Sequence, residues 1–122
     1  MLLARHADLA TFTTLDGSTI REYASTEHQS LAEATVPPGG ATTAHFHRTS
    51  EELYLFTAGH GTMELDGEEG EVRPGDCLTI PPGVEHKLRN LSDSHPLVLL
   101  CCCAPPYSDE DTVLTEDPVD AR

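Results

Sequence analysis

The chain has 122 residues, enough for one domain around a single core. Asp and Glu number 21 against 7 Lys and Arg, giving a net charge of −14, and Lys87 is the sole lysine. That balance argues against nucleic acid or an anionic membrane as a partner, because phosphate recognition needs a basic footprint.

The acids concentrate in residues 64–71 and 109–120, where they read as solvated surface. The scarcity of lysine also fits a protein made for a high-salt cytoplasm. At the N-terminus, Met1-Leu2-Leu3-Ala4 is interrupted by Arg5, His6 and Asp8, and no apolar run approaches the ~20 residues of a membrane span. Neither a secretory signal nor a transmembrane helix is expected. The four cysteines are Cys77 and the run Cys101-Cys102-Cys103. Adjacent cysteines seldom form disulfides, so a reducing cytoplasm is the expected location.

In chain order, short β-type runs alternate with turn residues, and no long segment has helical period. Residues 9–15 and 18–23 flank Asp16-Gly17, a two-residue hairpin signal. Residues 30–36 lead to Pro37-Pro38-Gly39-Gly40, and 42–47 are extended. Residues 53–57 and 62–65 join through Ala58-Gly59-His60-Gly61, and Asp66-Gly67 turns the chain into 71–73. Then come 77–80, the rigid turn Pro81-Pro82-Gly83, and 84–89. The run 97–103 is the last firm strand, ended by Ala104-Pro105-Pro106. About nine short strands at this spacing predict an all-β fold, an antiparallel sandwich or jelly-roll barrel. The expected organisation is one domain over residues 1–107 and an acidic tail over 108–122, in which Thr112-Val113-Leu114 has room to pack on the outside.

Two spaced signatures carry the chemistry. One is Gly39-x5-His45-x-His47-x4-Glu52-x6-Gly59, spanning 39–59; the other is Gly75-x5-Pro81-x-Gly83-x2-His86-x3-Asn90, spanning 75–90. Side chains alternate along a strand, so His45 and His47 share a face while Phe46 points away. A turn through Arg48-Thr49-Ser50-Glu51 lets an antiparallel neighbour bring Glu52 back beside them, and His86 arrives from a later strand. Buried together, these four would be costly unless paired with each other or with a cation. Three imidazoles and one carboxylate suit Fe, Mn, Co, Ni or Zn as a divalent ion, and ligand type alone does not choose among them. A six-coordinate ion would keep two positions open for water, substrate or O2.

With both signatures intact, and 15 residues between Gly59 and Gly75, the chain resembles a small single-domain bacterial cupin. The resemblance covers residues 39–90 in detail, and the flanking strands fit a whole-chain cupin barrel. It implies that His45, His47, Glu52 and His86 are the metal ligands. Glu51 would replace Glu52 under a looser form of the motif, although strand parity and the spacing to Gly59 favour Glu52. Segments 16–18, 30–33 and 105–108 are also similar to a widespread group of bacterial cupins without an assigned reaction. Small cupins commonly pair, and the hairpin at 9–23 offers an edge to a partner's sheet, so a homodimer is expected.

Around the signatures, Tyr54 shares the parity of Glu52 and should point inward with Phe56. It reads either as a core aromatic or as a catalytic residue that hydrogen-bonds a bound ligand. Met63, Leu65, Leu78, Ile80 and Leu88 read as apolar wall. His60, between two glycines, is expected to be exposed, and His28, just before a strand, has the barrel mouth within reach as the lesser alternative. Alternation sets Cys102 opposite Cys101 and Cys103, and buried free cysteine behaves chiefly as a small hydrophobe.

Since one barrel hosts many reactions, fold alone does not fix function. Three readings remain open, each with a small molecule as partner. The leading one is a metal-dependent dioxygenase or other oxidoreductase acting on an oxygenated metabolite. The second is a non-redox enzyme whose metal is a Lewis acid, as in isomerisation, polyketide cyclisation or sugar-acid chemistry. The third is a small-molecule binder without turnover.

Overall fold

The computed structural model describes residues 1–118. After a short 3-10 turn at His6–Asp8, the described residues form eleven strands. These are β1 (Phe12–Thr13), β2 (Thr19–Ser25), β3 (Ser30–Val36), β4 (His45–His47), β5 (Glu51–Ala58) and β6 (Gly61–Leu65). They continue with β7 (Glu68–Val72), β8 (Cys77–Ile80), β9 (His86–Arg89), β10 (Leu97–Ala104) and β11 (Thr112–Leu114). No helix among the described residues is long and apolar enough to cross a membrane.

The strands form two antiparallel sheets, ordered β1-β2-β3-β10-β5-β8 and β11-β4-β9-β6-β7. Facing one another, they make the jelly-roll arrangement that the strand spacing predicts. The alternation is plain in β5, where Glu52, Tyr54 and Phe56 are buried while Glu51, Leu53 and Leu55 face outward. The core between the sheets includes Phe56, Ile80, Leu88, Leu97 and Leu99. Burying such side chains contributes roughly 1.5–3 kcal/mol each.

Two glycines let the barrel close. A Cβ on Gly59, whose φ is 76°, would stand 2.3 Å from the Pro96 carbonyl oxygen, and one on Gly61 would stand 2.3 Å from that of Arg89. Any larger residue would push β5 and β6 away from the strands they approach.

Two local features depart from the sequence-based expectation. The first hairpin has a three-residue loop, not a two-residue one. Thr14 N–H donates to the Ser18 carbonyl and Gly17 N–H to the Thr14 carbonyl, with Gly17 at φ 89°. This is a turn closed by a left-handed glycine, and the Asp16 carboxylate stabilises it by accepting hydrogen bonds from Thr14 and Ser18. Secondly, β4 and β5 are consecutive but lie in opposite sheets, so Glu52 reaches the histidines from across the barrel rather than from a neighbouring strand. The crossing is pinned where Asp111 accepts hydrogen bonds from Thr49 and Ser50, and where Ser50 Oγ donates to the Pro105 carbonyl.

Downstream of Tyr107, β11 pairs with β4 in the register Thr112↔His47 and Leu114↔His45. Glu116 extends this attachment by accepting from Ala44 N–H and from Lys87 Nζ. The remainder of the expected tail, residues 119–122, lies outside the described residues.

Candidate metal centre

The four residues singled out by the spacing converge. His45 and His47 come from β4, His86 from β9 in direct register with His45, and Glu52 from β5 opposite. All four are at most 4% exposed. One ligand atom from each lies within 4.8 Å of the others, a geometry able to hold a metal ion. Glu51 faces outward on β5, and neither His28 nor His60 joins the group, both being exposed.

Hydrogen bonds on the far side of each ring set which nitrogen faces the centre. His45 Nδ1 lies 2.7 Å from the Thr43 carbonyl oxygen and His86 Nδ1 lies 3.0 Å from that of Val84. A carbonyl only accepts, so both Nδ1 atoms carry hydrogen. His47 Nδ1 lies 3.0 Å from Thr112 Oγ1, and that hydroxyl gives its own hydrogen to the Ser108 carbonyl at 2.9 Å. It therefore accepts from His47. In this assignment all three imidazoles present an Nε2 lone pair to the centre, held as second-layer hydrogen bonds hold metal-binding histidines elsewhere.

The carboxylate of Glu52 shares the centre with them. Glu52 Oε1 stands 2.8 Å from His47 Nε2 and 3.3 Å from His86 Nε2. Yet Glu52 Oε1 and His86 Nε2 are both buried with no hydrogen-bond partner among the described residues. Lone pairs facing a carboxylate at this range require a proton or a cation between them. The shifts in proton affinity agree. Burial alone would raise the Glu52 pKa, but the imidazoles of His47 and His86 beside it hold it far below the carboxylate range. Burial alone would lower His47, but the carboxylate of Glu52 beside it outweighs that and raises it. His45 is lowered, by burial first and then by His86. A divalent cation can replace such a proton, so the donor set fits a metal by its own chemistry.

A cavity opens beside the group, between the inner faces of the two sheets and bordered by the β1–β2 hairpin. It measures ≈ 50 Å³ for the centres of water-sized molecules, several times the ~10–15 Å³ that one water requires. Tyr54 lines it, its ring packed edge-on against Phe56 and His86 with centroids 6.2 and 6.0 Å away. Burial, followed by the charge of Glu52, raises the Tyr54 pKa well above its ordinary value, so the hydroxyl stays protonated. Cys101 and Cys103 also line the cavity, and Cys103 Sγ donates to Glu52 Oε2 at 3.1 Å. Burial, then Glu52, pushes both thiols up, which keeps them in the protonated form. Sequence reading did not single out Thr112, Cys103 as a partner of Glu52, or Asp16, whose Oδ2 lies 3.6 Å from His45 Nε2. The signal for Asp16 was present in Asp16-Gly17-Ser18, but it indicated a turn and not where that turn would land.

Comparison with known proteins gives a consistent picture. The family profile of the cupin domain matches residues 32–103. An uncharacterised protein of Methanocaldococcus jannaschii is 48% identical over 110 residues, covering 86% of this chain and 87% of that protein. Quercetin 2,3-dioxygenase of Bacillus subtilis is 36% identical over 59 residues, which span 48% of this chain and 17% of the larger enzyme. Among solved structures, the Streptomyces nucleoside dehydratase Pac13 superposes with a TM-score of 0.77 at 17% identity, covering 95% of this chain and 92% of that one. At that identity the likeness concerns the fold alone.

Proposed function

The chain belongs to the cupin domain family, and on that premise we propose that it is a metal-dependent enzyme acting on a small oxygenated metabolite, in the first place an oxidoreductase of dioxygenase type. The observation that carries this reading is the buried His45-His47-Glu52-His86 group, whose Glu52 Oε1 and His86 Nε2 have no hydrogen-bond partner among the described residues. These four residues would hold one divalent transition ion, Fe, Mn, Ni, Co or Zn. A redox-active ion there would supply the electron-transfer chemistry that lets O2 react with a chelating substrate. The partial likeness to quercetin 2,3-dioxygenase supports this choice.

The rest of the chemistry belongs to the chain. Glu52 offsets one unit of a dication's charge, and Cys103 engages its Oε2, which leaves Oε1 turned to the imidazoles. Tyr54, held protonated, would act as a catalytic residue by donating to an oxygen of the substrate. Apolar walls at Val36, Leu88 and Leu99 would exclude water and strengthen each polar contact inside. Tyr54 also favours a second reading, a non-redox isomerase or cyclase. A neutral phenol beside the ion can stabilise a developing enolate with no electron transfer. We further place the protein in the cytoplasm, where its four free cysteines would stay reduced, and expect a homodimer.

The test is reconstitution of metal-free protein with Fe(II), Mn(II), Ni(II) or Zn(II), with and without O2, against diketones, catechols, keto-sugars and enols. Oxygen uptake confined to redox-active ions is expected. Turnover with Zn(II) under nitrogen would replace it with the Lewis-acid reading, and tight binding with no turnover would make the protein a binder. Elemental analysis of untagged protein should find close to one equivalent of metal, and His86→Ala should lower it while His60→Ala does not. Tyr54→Phe should reduce turnover and leave metal content intact.

A further inference from the structure

The same cavity carries information about what it admits. Its walls include Ile20, Ala34, Val36, Leu88 and Leu99, and its ionisable side chains other than the group's histidines, Tyr54, Tyr107 and the two thiols are Asp16, Glu22 and Glu52. No Lys or Arg lines it among the described residues. With a dication bound, the carboxylates of Glu52 and Asp16 already offset both of its charges, and Glu22 adds a third negative group at the hairpin. An incoming anion therefore meets no net attraction, and it would leave water for an apolar enclosure that offers no cationic partner.

Asp16 is built to do more than repel. Its Oδ1 accepts three hydrogen bonds within the turn, from Thr14 Oγ1 at 2.6 Å, Ser18 N–H at 3.0 Å and Ser18 Oγ at 2.6 Å. The loop is docked on the approach to β4, where Thr43 N–H donates to the Asp16 carbonyl at 2.7 Å. The carboxylate is thereby fixed in rotation, with Oδ2 in the cavity at 3.6 Å from His45 Nε2, too long for a hydrogen bond. Oδ2 accepts no hydrogen bond among the described residues, and the side chain is only 13% exposed. An acceptor held this firmly in the cavity beside the four-residue group calls for a donor from the ligand. Tyr54 supplies the complementary donor within the same cavity.

We propose that Asp16 is a specificity-determining residue, and that the cavity selects an uncharged, mainly apolar molecule bearing a hydroxyl beside a second oxygen, as in an α-hydroxyketone, an enol or a catechol. The hydroxyl donates to Asp16 Oδ2 and the second oxygen accepts from Tyr54. Organic acids of equal size are rejected. This rests on the reading of the four-residue group as a metal holder.

The test uses Zn(II)-loaded protein, which is redox-silent, and calorimetric titration with catechol and with salicylate, an anion of similar size and chelating reach. Wild type should bind catechol roughly tenfold or more tightly, the scale of one hydrogen bond to a charged group plus the charge penalty on the anion. Asp16→Asn keeps a carbonyl for the three turn donors and puts an amide in place of Oδ2. It should weaken catechol binding about tenfold and strengthen salicylate binding, with zinc content unchanged. Glu22→Gln should move salicylate alone, which separates the general field from the local acceptor. The comparison on wild type stands even if Asp16→Asn does not fold. Equal or tighter binding of salicylate by zinc-loaded wild type overturns the inference, as does an unchanged ratio in a folded Asp16→Asn. Protein that takes up no zinc brings down the metal reading and this inference with it, whereas loaded protein without selectivity overturns this inference alone.

Discussion

Replacing Thr112 with valine isolates what β11 does for the site. The substitution is nearly isosteric and removes one oxygen, which accepts from His47 Nδ1 at 3.0 Å and donates to the Ser108 carbonyl at 2.9 Å. Two hydrogen bonds at about 1 kcal/mol each are lost, and a buried N–H left without an acceptor costs about 1–3 kcal/mol. His47 is 4% exposed, so water offers little relief in the metal-free protein. The ring escapes part of that cost by moving its hydrogen to Nε2, where it can donate to Glu52 Oε1, 2.8 Å away. That tautomer no longer presents a lone pair to a metal. Loss of such a supporting partner typically weakens metal affinity 10–100-fold, or about 1.4–2.7 kcal/mol. Competition with a chromophoric chelator for Zn(II) measures the affinity, and thermal unfolding of the metal-free protein measures the stability. Thr112→Val should fall in that range while its metal-free Tm drops modestly, and Thr112→Ser should restore both. Zinc affinity within threefold of wild type in Thr112→Val would refute the argument. Equal losses in the serine variant would assign the effect to strand packing, not to the hydroxyl.

Three further outcomes are expected. Asp111 and Glu116, which tie the segment around β11 to the barrel, both have lowered pKa values. For Asp111, burial opposes the hydrogen bonds from Thr49 and Ser50 that lower it; for Glu116, the hydrogen bond from Lys87 leads. Groups depressed on folding contribute stability that is present above their ordinary values near pH ~4 and lost as pH falls through the folded values. The amide signals of Thr112–Leu114 should therefore shift away from their native positions below about pH 4, ahead of global unfolding, and a segment that stays native to global unfolding would contradict this. With a net charge of −14, Tm should rise between about 0.01 and 1 M KCl as the Debye length shrinks from about 30 to 3 Å, and a flat curve would show the acids to be too dispersed to matter. Sedimentation equilibrium should give a homodimer, for which Leu31, Leu53 and Leu55 on the outer face of the larger sheet provide exposed apolar surface, and a monomer at tens of micromolar would overturn that expectation.

Much of the site was legible because strand geometry is local. The period of two puts His45 and His47 on one face, and the same parity separates inward Glu52 from outward Glu51. It also groups Cys101 with Cys103, though not which side of β10 they would take, since either face of a strand can turn inward. Glycines at 59 and 61 were legible as a turn, whereas their close approach to the Pro96 and Arg89 carbonyls is set by the fold. What the sequence could not disclose are contacts set by packing between remote segments. Glu52 meets the histidines because two sheets face each other, not because two strands are adjacent. Thr112 reaches His47 from 65 residues away, and Asp16 reaches His45 only because its loop docks on Thr43. Local alternation decides which face a side chain takes, whereas the register and docking of distant strands decide what it meets, and those emerge only when the whole barrel buries its core.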